Sequence, residues 1–279
     1  MLIKDFLSRN SAGMIGAVLV VLACLVGISG PWIVPDPDAA FQTDIVNRLR
    51  PPSMEAWMGT DHLGRDVFSR IILGTRGALG VAFIVVAASM ILGVTVGTIA
   101  GYEGGVLSAI LMRITDVFLA VPQLILALAL AQLLKPSYLT VVVALSLTYW
   151  PFFARTAYAE TKRIASGLFV EALFSIGASR RRILCYHVLP NIAPAIIVRA
   201  TIGIGFVILT AAVLSFLGMG APPPTPDWGV AVAESRQFLP EAWWFALFPG
   251  IAIYLVVLGF NLLGDALRDF VDPRIRRSS

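Results

Sequence analysis

Charged side chains are scarce in this sequence. Asp, Glu, Lys and Arg make up 14% of the 279 residues, whereas an average soluble domain carries about a quarter. Hydrophobic residues make up 58%, and the mean hydropathy is +0.84. A water-soluble fold could not bury so much apolar surface, so lipid must be the solvent for much of the chain. The net charge of +4 is small, and basic loops at a membrane face explain it better than a nucleic-acid partner does.

Cysteine and histidine are nearly absent as well. Cys24 lies in an apolar run and Cys185 in a basic loop, so a disulfide framework is excluded. His62 and His187 are the two histidines, and the predicted topology puts them on opposite membrane faces, where they cannot form a metal site. The sequence contains no HExxH, GxSxG or P-loop motif. We therefore expect no catalytic residues, no metal and no bound cofactor in this chain.

Long apolar runs dominate what is present. A membrane-spanning helix needs about 20 apolar residues. Six runs meet or approach this length: Met14–Val34, Gly77–Tyr102, Val117–Leu134, Pro136–Ala154, Ala200–Gly220 and Ala242–Gly264. The sequence therefore predicts an all-α integral membrane protein with six transmembrane helices. The first run lacks a convincing cleavage site and is expected to be a retained helix.

Six spans place both termini on the same side of the membrane. With the termini inside, the cytoplasmic segments hold more lysine and arginine than the outer loops do. The positive-inside rule therefore predicts that both termini are cytoplasmic.

The first outer loop ends in an amphipathic stretch. A cap at Thr60 or Asp61 would start a short helix there. Val67, Phe68, Ile71 and Ile72 would share its apolar face, with Arg65, Asp66 and Arg70 opposite. This pattern predicts an interfacial helix at the membrane surface, and the alternative is a lead-in to the second span.

Within the spans, small and polar residues suggest helix contacts. Gly93, Gly97 and Gly101 recur every four residues and so predict a close helix–helix contact. Asn261 is the strong polar group well inside the sixth span, where it either lines a translocation pathway or bonds to a neighbouring helix.

Ionisable groups near the bilayer midplane, which ion-coupled carriers use as relays, are not apparent. Asp116, Arg199 and Asp265 lie near predicted span ends, where we expect them to act as anchors.

The loop 155–190 is the most informative segment. Helical spacing over Ser166–Ile176 puts Leu168, Ala172 and Ile176 on one apolar face. Gly177 can end this helix in the left-handed conformation. Such a helix in the cytoplasm has nothing of its own chain to pack against, which indicates a protein partner.

A second helix is expected to follow. Ser179 can cap it, and Pro190 then opens the fifth span. Arg180, Arg181 and Arg182 fall in the first turn, where the helix dipole disfavours positive charge. They either fix the membrane orientation or meet lipid phosphates or an acidic partner.

This loop resembles a known family motif. Glu171-Ala172, Gly177 and Leu189-Pro190 match the spacing of EAA-x3-G-x9-I-x-LP, found in permeases of ABC importers. Leu173 replaces the second alanine and His187 the isoleucine. The resemblance implies that the loop docks into the partner ATPase, with the coupling residues Glu171, Ala172, Gly177, Ala178, Leu189 and Pro190.

Four further blocks extend the resemblance: GTDHLGRDVFSR, MRITDVFLAVP, LSFLGMGAPPPTPDWG and FNLLGDALRDFVDPR. They are similar to blocks of the peptide and nickel importer permeases, in particular of the C-type subunit. This resemblance implies a type I ABC importer permease fold, a B-type permease as partner in a heterodimer, two cytoplasmic ATPase subunits that bind ATP and Mg²⁺, and an extracytoplasmic substrate-binding protein.

The expected organisation follows. Residues 1–35 hold the N-terminal segment and first span, and 36–76 the outer loop. Residues 77–274 form the permease core, with the coupling loop 155–190 inside it and a tail at 275–279. The expected substrates are di- and oligopeptides, with nickel or a metal chelate as the alternative. The rival classes are a secondary transporter, a membrane enzyme and a non-transporting scaffold.

Overall fold

A computed structural model describes residues 11–271. Within this range the chain is helical and contains no strand, only an isolated antiparallel bridge between Thr60 and Asp66. The tail at 275–279, the first ten residues and the last residues of the predicted core lie outside the described range. In chain order the α-helices are α1 Ser11–Ile33, α2 Val67–Glu103, α3 Gly105–Ala120, α4 Gln123–Ala131, α5 Tyr138–Ala165, α6 Leu168–Ser175, α7 Arg180–Ile183, α8 Leu189–Phe216, α9 Trp228–Ser235 and α10 Trp243–Val271.

Five helical segments are long and apolar enough to span a membrane. They are α1, α2, α5, α10 and the continuous run Arg180–Phe216, and the bent pair α3–α4 supplies a sixth span when counted as one. This confirms the prediction of an all-α membrane protein.

The second span differs from its predicted form. It begins at Val67, where Asp66 is the N-cap and its side chain accepts a hydrogen bond from the Ser69 amide. The prediction of a separate interfacial helix capped by Thr60 or Asp61 was therefore wrong. The alternative, in which this stretch leads into the second span, is correct. The 37 residues of α2 extend over about 55 Å at 1.5 Å per residue, well beyond a hydrocarbon core of about 30 Å.

The third span starts earlier than predicted and is broken. It begins at Gly105 rather than Val117, and α3 and α4 meet at an angle of 84°. Val121 at the break is extended, with φ −94° and ψ 131°. The following Pro122 explains this, because proline disfavours helical backbone in the residue before it and donates no hydrogen bond of its own.

The fifth span also starts earlier than predicted. A π-helical turn, Leu184–Val188, joins α7 to α8, so the helix is continuous from Arg180. Pro190 therefore lies in the first turn of α8, as predicted, but inside a helical run that is continuous from Arg180. Arg199, predicted near the start of the span, instead lies ten residues after the first residue of α8.

Two packing units organise the bundle. The helices α2 and α5 pack against each other over most of their length, burying Val85, Leu145 and Phe153. The helix α10 packs against α1 and α8. Gly16 of α1 lies so close to α10 that an added Cβ would stand 2.6 Å from the Leu263 amide nitrogen. Close helix contact through small residues is typical of membrane bundles.

Candidate functional site

The short helix α6 carries an uncovered apolar face. Val170 is buried and Leu173 is half-buried, and both pack against the main core. Leu168 and Ile176, by contrast, are 84% and 80% exposed, and Ala172 between them is exposed too. The three residues predicted to share a face are therefore all open, while α6 is attached to the bundle by its opposite side.

A glycine ends this helix. Gly177 adopts φ +84°, the left-handed conformation that L-residues other than glycine rarely take. The Ala178 amide donates to the Leu173 carbonyl at 3.1 Å, and the Gly177 amide donates to the Phe174 carbonyl at 3.0 Å. These two bonds close a Schellman-type C-cap. A Cβ on Gly177 would meet nothing within 4 Å, so the requirement for glycine is conformational and not steric.

The chain then turns back toward the membrane. Ser179 is the N-cap of α7, where its hydroxyl accepts from the Arg182 amide at 3.4 Å. Arg180 pairs with Glu103 at the end of α2 at 2.7 Å, while Arg181 and Arg182 are exposed. One of the three arginines thus ties this loop to the second span.

The π-helical turn before α8 follows from Pro190. The Leu189 amide bonds to the Leu184 carbonyl, five residues back. Proline has no amide hydrogen to donate to the carbonyl of residue 186, and its ring crowds that carbonyl. The wider turn accommodates this gap. Pro190 is exposed and Leu189 is half-buried, and the His187 ring of this turn meets the Phe169 ring of α6 at 5.5 Å, edge to face.

Glu171 completes the loop. It lies in the first turn of α6 and is exposed, a place where the helix dipole favours a carboxylate. The surface formed by Leu168, Glu171, Ala172, Phe174 and Ile176 is called the α6 face below. It combines apolar side chains with one negative charge.

The three-glycine series lies in the contact between α2 and α5. An added Cβ would stand 2.6 Å from the Phe153 Cβ at Gly93, 2.8 Å from the Ala157 Cβ at Gly97 and 2.8 Å from the Thr161 Cβ at Gly101. Because these distances exclude any side chain, the helix backbones are in direct contact along this seam.

Asn261 faces the neighbouring span. It is half-buried in α10, and a Cβ on Gly205 of α8 would stand 3.3 Å from its Oδ1 atom. Its amide group therefore lies at the contact between α10 and α8.

Sequence reasoning missed a buried ionic cluster at the opposite end of the bundle. Asp61, Arg65 and Arg70 are 0%, 1% and 4% exposed. The Asp61 Oδ2 atom lies 2.6 Å from Arg65 Nε and 3.6 Å from Arg70 Nε, and Arg65 Nη2 lies 3.3 Å from Glu234 Oε2. We call these four residues the buried ionic cluster. The prediction that Arg65 and Arg70 form an exposed polar face was wrong, because both pair with carboxylates inside the fold.

This cluster joins distant segments. Arg70 Nη1 donates to the Ala40 carbonyl at 2.9 Å and to the Pro224 carbonyl at 3.1 Å. Trp228 Nε1 donates to the Ile71 carbonyl at 3.0 Å, and Trp244 Nε1 to the Thr60 carbonyl at 3.2 Å. The loops before α2 and after α8 therefore form one hydrogen-bonded cap. The spacing of Asp61 and Arg65 was the available signal, but nothing in the sequence pairs them with Glu234.

The same region contains a group with metal-ligand geometry. Ligand atoms of Asp61, His62 and Glu234 lie within 4.8 Å of one another. However, the Arg65 guanidinium contacts both carboxylates, and Arg70 adds a second positive charge beside Asp61. Two fixed cations would repel a divalent ion, so we interpret this group as an ion-pair network and not as a metal site.

Asp227 shows how the cap is held. It is the N-cap of α9 and accepts hydrogen bonds from the Gly229 amide at 2.9 Å and the Ser215 hydroxyl at 2.9 Å. Burial raises the pKa of this carboxyl, while the hydrogen bonds from Val230, Ser215 and Gly229 oppose that shift.

The two histidines lie at opposite ends of the bundle. Trp228, which follows α8, bonds to Ile71 near the start of α2. Arg180, which precedes α8, pairs with Glu103 at the end of α2. The two helices are therefore antiparallel. His62 lies just before α2 and His187 just before α8, so they cannot share a ligand.

The fold thus defines a membrane-spanning helical bundle with a closed cap at one end and an open apolar helix at the other. Solved structures of ABC transporters resemble this fold. The chain matches an inward-facing MetNI methionine ABC transporter with a TM-score of 0.58 and 19% identity, covering 72% of this chain and 97% of the other. An amino acid ABC transporter matches with a TM-score of 0.55 and 17% identity, covering 75% and 94%.

The sequence comparisons identify the family. Residues 93–277 match the model of the binding-protein-dependent transport system inner membrane component, and residues 4–52 match the N-terminal transmembrane domain of oligopeptide transport permease C. The chain belongs to this family of ABC importer permeases and is a multi-pass inner-membrane protein.

Curated relatives cover nearly the whole chain. The dipeptide transport system permease protein DppC of Alkalihalophilus pseudofirmus is 41% identical over 97% of this chain and 88% of its own length. The probable D,D-dipeptide transport system permease protein DdpC of Escherichia coli is 40% identical over 92% and 86%. The glutathione transport system permease protein GsiD of Pectobacterium atrosepticum is 39% identical over 96% and 89%.

Proposed function

We propose that this chain is the C-type permease subunit of an importer that moves di- and oligopeptides across the bacterial inner membrane. The relatives named above carry dipeptides, D,D-dipeptides and glutathione, all of which contain peptide bonds. These names favour peptides over the nickel or metal-chelate alternative.

In this proposal the chain itself does not hydrolyse ATP. ATP and Mg²⁺ bind to two cytoplasmic ATPase subunits, and this permease pairs with a B-type permease. An extracytoplasmic binding protein delivers the peptide to the capped end of the bundle. Both termini and the α6 face then lie on the cytoplasmic side.

The observation that carries the proposal is the uncovered α6 face. Exposed apolar side chains of this size on a short helix, next to lipid-spanning helices but outside them, mark a protein–protein contact. Glu171, Ala172, Gly177 and Ala178 form the helix and its bend, and Leu189 and Pro190 fix the return into the membrane. We assign to these six residues the coupling of ATPase closure to movement of the spans.

The alternative function from a different class of protein is secondary transport. Such carriers use inverted repeats or relays of ionisable groups at the bilayer midplane. Peptide uptake into vesicles distinguishes the two. An ATP-driven importer stops when ATP is removed and continues when the proton gradient is collapsed, and a secondary transporter does the reverse.

Co-purification tests the coupling surface. The tagged chain is extracted in mild detergent from its native membrane, and its partners are identified by mass spectrometry. We expect an ATPase and a second permease. Glu171→Lys should release the ATPase and keep the second permease.

The matched control is Glu55→Lys, which makes the same charge change on the exposed outer loop and should retain both partners. Recovery of the chain alone or as a homo-oligomer, with no ATPase, would contradict the proposal.

A further inference from the structure

A single charged residue, Arg199, occupies the 28 residues of α8. It lies ten residues after Leu189, or about 15 Å along the helix axis. Arginine inside a membrane-spanning segment is costly and usually serves a pathway or a partner. The described part of the chain supplies no carboxylate for it, since none of the ion pairs found there includes Arg199.

Aromatic rings hold this guanidinium in place. Its carbon lies 5.0 Å from the centre of the Phe152 ring and 6.0 Å from that of Tyr149, both on α5. Cation–π attraction of this kind engages the flat faces of the guanidinium. The N–H groups at the edge of the guanidinium are not used by this attraction. Among them, the Nε atom of Arg199 is buried without a hydrogen-bond partner in the described part of the chain.

The position of the rings places this charge inside the apolar part of the bundle. Tyr149 and Phe152 lie one to two turns before Arg155, the first charged residue of α5. Arg155 itself is exposed and paired with Asp116 of α3. Arg199 lies against rings that precede this exposed pair in α5, so a lipid phosphate fits Arg199 less well than it fits Arg155.

The surroundings of Arg199 come from both helices. Gly203 is packed so closely that an added Cβ would lie 2.8 Å from the Tyr149 hydroxyl oxygen. Phe206 stacks on the Tyr149 ring with centroids 5.7 Å apart. One face of α8, at residues 199, 203 and 206, therefore lies on a single aromatic residue of α5, which restricts the orientation of the guanidinium.

We infer that Arg199 binds the carboxylate of a peptide as it passes through the permease, an inference that rests on the proposed function. A guanidinium offers paired N–H donors that match a carboxylate, and every unmodified peptide carries one at its C-terminus. The aromatic rings hold the charge between transport events, so the site persists when no peptide is present. A carboxylate from the second permease is the competing source of the same chemistry.

Charge rescue at this position tests the inference in the complete transporter, reconstituted with its permease partner, ATPases and binding protein. The parent carries Cys24→Ser and Cys185→Ser. Arg199→Cys is then modified with aminoethyl methanethiosulfonate, which restores a positive charge, or with the sulfonatoethyl reagent, which adds a negative one. Ile197→Cys is the matched control, because Ile197 is exposed on the opposite face of α8.

We expect Arg199→Cys to lower peptide uptake about tenfold or more. The aminoethyl reagent should restore uptake and the sulfonatoethyl reagent should not. Saturating peptide should slow the modification of the thiol that Arg199→Cys introduces, and modification of the Ile197→Cys control should leave uptake unchanged.

Parental uptake separates the two proposals. When the parent imports peptide, undiminished uptake by Arg199→Cys, or equal rescue by both reagents, would overturn only the role of Arg199. Modification that peptide does not slow would also overturn it and would assign the carboxylate to the second permease. A parent that imports no peptide would overturn the proposed function as well.

Discussion

The two ends of the bundle both contain arginines and apolar side chains, but they differ in how far these residues are buried. At the capped end, Arg65 and Arg70 are buried and paired with Asp61, and the loops around them are joined by tryptophan hydrogen bonds. At the α6 end, arginines are exposed and Leu168 and Ile176 face outward. One end is closed by contacts within the described chain, whereas the other exposes the α6 face, which we propose binds a partner.

We interpret this difference as a division of roles, in which the capped end stabilises the fold and the α6 end binds a partner. Buried ion pairs contribute little net stability when intact, but removal of one partner is expensive. Exposed apolar side chains contribute little to the stability of the isolated chain. They contribute to the free energy of binding when a partner removes them from water. Substitutions at the two ends should therefore fail in different assays.

The largest effect is expected at the buried ionic cluster. Asp61→Asn leaves Arg65 and Arg70 buried without their shared carboxylate, and such a loss costs about 3–5 kcal/mol. We expect a large fall in the melting temperature of the detergent-solubilised protein and poor recovery from membranes. Glu55→Gln, on the exposed surface of the same loop, should leave both unchanged, and equal behaviour of the two variants would contradict the structural role of the cluster.

The glycine seam between the ends gives the next effect. Gly97→Ala forces α2 away from α5, because its Cβ would stand 2.8 Å from that of Ala157 and closer still to the Ala154 carbonyl oxygen. Overpacking of this kind costs about 1–3 kcal/mol. Gly80→Ala is the matched control in the same helix, because a Cβ there meets nothing within 4 Å. Thermal unfolding in detergent measures both, and a Gly97→Ala melting temperature equal to that of Gly80→Ala would be the contrary result.

At the α6 face the effect should be on binding. Ile176→Ser removes an exposed apolar side chain that we assign to the ATPase contact, and such a loss weakens binding by about 1–2 kcal/mol, or roughly tenfold. Retention of the ATPase in a pull-down measures it, with the melting temperature of the isolated permease unchanged. Met54→Ser is the control, since Met54 is 94% exposed at the other end. Loss of ATPase from both variants would mean that the α6 face is not specific.

The bend after α6 should give a similar or smaller effect. Gly177→Ala puts a Cβ on a left-handed residue, at a cost of about 1–2 kcal/mol. We expect partial loss of ATP-driven uptake, with insertion into the membrane preserved. Gly167→Ala is the control at the start of the same helix, where φ is −82°. Normal uptake by Gly177→Ala would show that the bend does not need this conformation.

The smallest effect should be at the exposed ion pair. Arg180→Gln breaks the contact with Glu103, but Arg180 is largely exposed, and exposed pairs contribute about 0–1 kcal/mol. We expect a shift in melting temperature that is small at low salt and absent at high salt. A fall in melting temperature as large as that of Asp61→Asn would contradict the difference in stability that we infer between the two ends.

Sequence reasoning captured the features that depend on local pattern. The helical run after Ser166, the left-handed Gly177 and the cap at Ser179 all follow from neighbouring residue types, and the structure contains each of them. The resemblance of the chain to peptide importer permeases is confirmed by the family matches.

Predictions from the sequence were wrong where contacts with distant segments determine the local structure. Arg65 and Arg70 suggested an exposed face because their partners, Glu234 and the Ala40 and Pro224 carbonyls, come from other loops. The start of α2 at Val67 follows from the Asp66 cap and not from apolar content. Span limits set by hydropathy also missed the polar extensions of α5 and of the run Arg180–Phe216.

Cross-linking at α6 shows whether this helix contacts an ATPase subunit. Ala172 is exposed at the centre of the α6 face, and Ala172→Cys is placed in the Cys24→Ser, Cys185→Ser background, with Met54→Cys as the control. A short thiol-to-amine cross-linker is added to the transporter in native membranes. We expect a product joining this chain to an ATPase subunit from Ala172→Cys alone. An active transporter in which Ala172→Cys yields no such product would contradict it.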